Sequence, residues 1–219
     1  GTLGAGDVQW MTAGSGILHQ EMPKGNANGQ MHGFQLWANL PSSLKMTAPR
    51  YQDVEGKDIP EIIDDDGTRV KVIVGNFWGQ SGPVDGIAAD PQYLDIYVPA
   101  GIKKTFKIDT YRKAFAYVFE GEGAFADASA PEGVLLEKEV MGEEVNIRDM
   151  SGNRTLIKFG TGEEVTVQAG ERGIRFLLIS GAPIQEPVAW HGPIVMNTRE
   201  ELMQAFAELR NGTFIKPAH

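Results

Sequence analysis

Glycine and proline set the grain of this chain. The 27 Gly and 12 Pro among 219 residues cut it into short runs of β-branched and aromatic residues. Runs of that length bounded by turn formers predict strands rather than helices, so the expected fold class is all-β. The strands fall at 8–12, 33–39, 69–75, 93–98, 104–108, 114–119, 155–159, 164–167 and 174–179. From Thr105 to Asp109 the alternation of apolar and polar residues is strict, which turns one face to a core and the other to water. Asp66-Gly67, Gly121-Glu122-Gly123 and Ser151-Gly152-Asn153 read as the turns between such runs.

A single helix is expected near the end. Thr198 and Glu201 have capping-box spacing, Leu202, Ala205, Phe206 and Leu209 follow at helical intervals, and Gly212 supplies the stop. The stretch 79–90, rich in Gly and Ala and holding Pro83, reads as a boundary, with a domain break near residue 85.

Charge and cysteine content remove several function classes. A net charge of −9 repels phosphate backbones, so direct nucleic-acid binding is not expected. With no Cys, disulfides, thiolate metal sites and cysteine nucleophiles are excluded. No apolar run reaches the roughly 18 residues of a membrane helix. Residues 1–7 lack the layout of a signal peptide, so no membrane partner and a cytoplasmic location are expected.

Four histidines narrow the candidate chemistry. His19 and Glu21 stand two apart in Gly14-Ser15-Gly16-Ile17-Leu18-His19-Gln20-Glu21, a spacing that puts both on one side of an extended chain. An imidazole and a carboxylate aimed together suit a divalent first-row metal; the same spacing serves a hydrogen-bonded pair in a barrel mouth. His32 sits in a turn before a strand and His191 in a loop before the helix, with structural roles expected for both, and the terminal His219 should fray. Gly79-Gln80-Ser81-Gly82 lacks nucleophile-elbow spacing, and Gly4-Ala5-Gly6 lacks the third Gly of a dinucleotide loop. Asp64-Asp65-Asp66-Gly67 lacks the alternating ligands of a calcium loop and reads as a solvated hairpin.

Longer strings carry a family resemblance. Gly6-Asp7-Val8-Gln9-Trp10-Met11-Thr12-Ala13-Gly14, continuing to His19-x-Glu21-Met22-Pro23, resembles the pirin family. So do 35–41 (QLWANLP), 45–52 (KMTAPRYQ) and 192–198 (GPIVMNT) leading to Asn211-Gly212-Thr213-Phe214. The resemblance implies two tandem cupin jelly-roll β-barrels with a short C-terminal helix, divided as 1–85 and 86–219. It implies one mononuclear Fe(II), or another divalent first-row metal, in the N-terminal barrel, held by three His and one Glu. By position His19 is the third histidine ligand and Glu21 the carboxylate. The other two His belong to an upstream HxHRGFE-type strand that these 219 residues do not contain, so the N-terminal cupin is expected to be incomplete.

In the second barrel, the stretch from Gly101 through Tyr117 to Gly123 and the stretch 169–176 resemble cupin motifs without their His and Glu, so this domain is expected to be metal-free. The function the resemblance implies is a quercetin 2,3-dioxygenase-type reaction on a flavonol with O₂, with Glu21 also moving a proton. The alternatives are a non-enzymatic, iron-dependent protein-interaction or transcriptional co-regulator, nuclear if the source is eukaryotic, and an inactive, metal-poor form.

Overall fold

The computed structural model describes residues 2–127, 135–140, 143–145 and 151–216; His219 lies outside them. In chain order the strands are β1 (Val8–Thr12), β2 (Arg50–Val54), β3 (Glu61–Ile63), β4 (Arg69–Val74), β5 (Asn76–Phe77), β6 (Gln80–Ser81), β7 (Gln92–Val98) and β8 (Lys103–Lys107). They continue with β9 (Lys113–Asp127), β10 (Leu135–Val140), β11 (Glu143–Val145), β12 (Ser151–Gly152), β13 (Thr155–Lys158), β14 (Glu164–Gly181), β15 (Ala189–His191) and β16 (Ile194–Met196). Helix α1 (Arg199–Asn211) closes the described chain, so the protein is mostly β-sheet with one α-helix among the described residues.

Two compact units result, each discontinuous in sequence: Gly1–Gln9 with Asp53–Pro183, and Trp10–Gln52 with Ile184–His219. In the larger unit one sheet runs β11-β10-β13-β9-β14-β7-β4-β3, with β12 added on β9 and β8 on β14. Strand β4 precedes the break expected near residue 85, yet it pairs antiparallel with β7 beyond it. Within the stretch 79–90, β6 pairs with β5 and Val84 bridges to Val74.

The core of this unit follows from period-two alternation. Val70 and Val72 of β4, Leu94, Ile96 and Val98 of β7, Phe106 of β8 and Phe176 of β14 are fully buried. Phe176 meets Phe106 and Phe125 edge-to-face, at 6.1 and 5.2 Å between ring centres, a favoured aromatic geometry. On another face Arg175 forms a bidentate pair with Asp95, at 2.9 and 2.6 Å, across the β14–β7 ladder.

Three expectations are corrected here. Gly121-Glu122-Gly123 is not a turn, because β9 runs straight through it. Gly121 has φ +69° and opposes Ile174, with an irregular register beside it, and a Cβ there would lie 2.0 Å from the Gly173 carbonyl oxygen. The glycine lies opposite a bulge in which residues 170–173 of the partner strand stand against the single Glu122, and a sequence pattern cannot tell that position from a turn. Its partner strand is continuous for the same reason, so the separate strands expected at 164–167 and 174–179 form the single β14. The strand expected at 33–39 is not assigned, since a strand exists only as part of a ladder and no described neighbour forms one with it.

Lys104 ties the β3–β4 turn to β8: its ammonium pairs with Asp64 and, at 2.7 Å, with Asp66, and lies 5.3 Å from the centre of the Trp78 ring. Burial raises the Asp66 pKa, but hydrogen bonds from Lys104 and Thr68 outweigh it and bring the carboxyl to about 2. A carboxyl depressed in the folded state adds stability that is complete above its unfolded pKa, about 4, and fades as pH falls towards its folded value. Asp66→Asn should therefore flatten the acid side of the stability curve between about pH 4 and 2, read as the urea midpoint against pH. Phe176→Ala, which empties the aromatic contact, should cost about 3–5 kcal/mol in the same unfolding assay.

Candidate functional site

The smaller unit presents the one cluster that the sequence analysis marked for chemistry. The chain leaves β1 through the Ala13–Gly16 turn, in which the Gly16 N–H donates to the Ala13 carbonyl at 2.9 Å and the Ser15 N–H to the Thr47 carbonyl at 2.8 Å. Glycine is required here by space as well as by conformation. A Cβ on Gly14 would sit 2.1 Å from the Thr47 oxygen, and one on Gly16, at φ +124°, 2.5 Å from the Phe214 ring. This turn sets the direction in which Ile17, Leu18 and His19 emerge.

His19 Nε2 and Glu21 Oε1 are 3.9 Å apart, with side chains 39% and 67% exposed. That is too long for a hydrogen bond. It is shorter than two metal–ligand bonds of about 2.1 Å end to end, so one ion can touch both atoms. The donors fit a first-row divalent metal in kind. They are two, however, and among the described residues no group of three His, Cys, Asp or Glu side chains stands close enough to hold an ion.

His32 meets Phe34 edge-on at 5.1 Å, and His191 meets Phe206 of α1 at 5.5 Å. Leu18, Met22, Met31, Phe34 and Trp37 are all exposed on the same 17–40 stretch, with Met22 and Leu18 above 70%. So much apolar surface in one segment is unusual for a finished surface.

A buried lysine escaped the sequence reading. Lys45 is 7% exposed as a residue, and its ammonium donates to Asn39 Oδ1 and, at 2.8 Å, to the Leu40 carbonyl. Burial lowers its pKa, against the opposing pull of the Glu186 and Glu201 carboxylates. Glu186 in turn accepts from the Ser42 N–H at 2.6 Å and from the Asn197 amide at 3.0 Å, so the 39–45 loop and the segment before α1 share one polar network. The available signal was Lys45 itself inside KMTAPRYQ, a charged residue in an otherwise ordered string. Helix α1 begins as expected, with a capping box between Thr198 and Glu201, and ends at Gly212 in the left-handed region.

A long antiparallel sheet with bulged central strands, a buried aromatic interior and a closing helix define a cupin-type β-protein. Comparison with known proteins supports that class and narrows it. The profile described as Pirin C-terminal cupin domain matches residues 93–215, and the one described as Pirin matches residues 1–38. A pirin-like protein of Caulobacter vibrioides is 42% identical over 217 residues, covering 98% of this chain and 70% of that protein. Pirin-1 of Arabidopsis thaliana is 39% identical over 214 residues, covering 96% of this chain and 67% of that protein. Among solved structures, quercetin 2,3-dioxygenase from Acinetobacter baumannii superposes with a TM-score of 0.77 at 31% identity, covering 98% of this chain and 68% of that one. This chain belongs to the pirin family.

The Gly16 turn offers a direct check on how the candidate pair is aimed. Gly16→Ala should destabilise the protein by about 1–3 kcal/mol, through left-handed strain and displacement of Phe214. Gly33→Ala, in open space and without a positive φ, should stay within about 0.5 kcal/mol of the parent in the same thermal melt.

Proposed function

We propose that His19 and Glu21 are two of the four protein ligands of a mononuclear centre for Fe(II) or another divalent first-row metal. We propose further that the centre serves quercetin 2,3-dioxygenase-type oxidation of a flavonol by O₂. The observation that carries this reading is the 3.9 Å approach of an imidazole nitrogen and a carboxylate oxygen on a segment reached through a glycine-restricted turn. The name of the similar Acinetobacter structure supports the substrate class. A metal held there would supply Lewis acidity and open positions for substrate oxygen and O₂. For its part the chain would contribute the His19 and Glu21 donors, with Glu21 able to take up the flavonol hydroxyl proton. The two remaining His ligands come from polypeptide outside these 219 residues.

In this reading residues 1–85 are the metal-bearing part of the N-terminal cupin and 86–219 the metal-free C-terminal cupin with its helix. The two family profiles, at 1–38 and 93–215, fall on either side of that division. No helix among the described residues is long and apolar enough to cross a membrane, and the reading places the protein in the cytoplasm.

A second reading, an iron-dependent interaction protein without turnover, draws on the exposed Leu18, Met22 and Trp37 beside the pair. Loss of quercetin absorbance in aerobic buffer with added Fe(II) separates the two. The assay is run on this chain and on a longer polypeptide carrying the upstream histidines. We expect Fe(II)-dependent turnover that chelation removes and that His19→Ala reduces by at least about 10²-fold, as loss of a metal-site group does. Turnover unchanged in His19→Ala would overturn the ligand assignment, and Fe(II) binding without turnover would favour the interaction protein.

A further inference from the structure

The groove between the β15–β16 hairpin and α1 plays no part in the function proposed above, and its lining includes neither His19 nor Glu21. Trp190 and His191 line it from the hairpin, and Arg199, Leu202, Met203 and Phe206 from the helix, around a volume of about 450 Å³. Small-molecule sites fall at roughly 300–1,000 Å³. Trp190 and Met203 are 67% and 63% exposed, so an indole and a thioether stand in water on the two walls. The indole is held in place: its N–H donates to the Gly192 carbonyl at 2.7 Å. What it can still offer a ligand is therefore apolar contact.

The nitrogen-bearing side chains Arg199 and His191 of the groove are uncommitted. Among the described residues the Arg199 guanidinium has no ion-pair or hydrogen-bond partner, and the His191 ring has only its edge contact with Phe206. The nearby Glu201 carboxylate is already spent on the helix cap, accepting from the Asn197 and Thr198 N–H groups at 3.1 and 2.9 Å. The cationic Arg199 head stands beside three large apolar side chains, Trp190, Met203 and Phe206. A guanidinium fork suits a planar anionic head, and aromatic and thioether walls suit a flat apolar body.

We propose that this groove is a binding site for an organic anion, a carboxylate-like head on an aromatic body, with Arg199 taking the head and Trp190, Met203 and Phe206 the body. The test is fluorescence titration of the full chain with anilinonaphthalene sulfonate, set against N-phenylnaphthylamine, which has the same rings without the charge. Energy transfer from tryptophan to the bound sulfonate probe should fall in Trp190→Phe, with the other three Trp remaining as donors. Arg199→Gln should weaken the sulfonate probe by about tenfold or more, the worth of a charge-assisted hydrogen bond, and leave the neutral probe unchanged. Both positions are exposed, and far-UV circular dichroism of each variant verifies that the fold persists. Equal affinity of the two probes, an unchanged sulfonate affinity in Arg199→Gln, or energy transfer undiminished in Trp190→Phe would each overturn the proposal.

Discussion

A strand's backbone must find its hydrogen bonds in neighbouring strands, and this requirement organises the larger unit around β14. That strand pairs with β7 along 174–180, with β8 along 164–168 and with β9 over most of its length. Over Phe176–Ile179 both faces of the strand are also removed from water, whereas Gln168, Glu171 and Arg172 are exposed. Leu177 and Ile179 are buried as well as Phe176 and Leu178. The run therefore reads as a continuous apolar stretch rather than an alternating one, as expected where a strand has no solvent face. The bulge at Gly121 and Ile174 is what lets two strands this long stay paired while they bend.

The same requirement explains the different state of the candidate site. Segment 33–39 has strand-like sequence, but the described residues supply no ladder for it, and its neighbours leave Phe34 and Trp37 in water. His19 and Glu21 sit on the same stretch of the chain and share its exposure. A metal site in a cupin is built on the inner face of paired strands, where fixed backbones aim several donors at one point. Here His19 and Glu21 follow the glycine turn on a segment without a ladder, and among the described residues no third metal-ligating side chain stands with them.

Much of this was legible in local patterns. Strands β1, β4, β7, β8 and β13 fall within one or two residues of their sequence-derived limits, and α1 has the cap and the stop that Thr198, Glu201 and Gly212 announce. Signals of this kind are short-range: alternation, a side chain returning to a backbone three residues away, a glycine at a positive φ. The misread positions share a different property. Whether Gly121 turns or bulges depends on Gly173 and Ile174, some 50 residues away, and whether 33–39 becomes a strand depends on a partner.

What the sequence by itself determined is the β-rich class, the family, the helix with its caps and the placement of an imidazole and a carboxylate on one side of an extended segment. Each of these is written within a few residues, or in strings long enough to identify a relative. Only the tertiary structure decided that Lys45 is buried beside Glu186 and Glu201, that β9 and β14 are continuous, and that Trp190 and Arg199 share one groove. Those outcomes depend on which distant segments come into contact, and burial, hydrogen-bond partners and electrostatic surroundings exist only once they do.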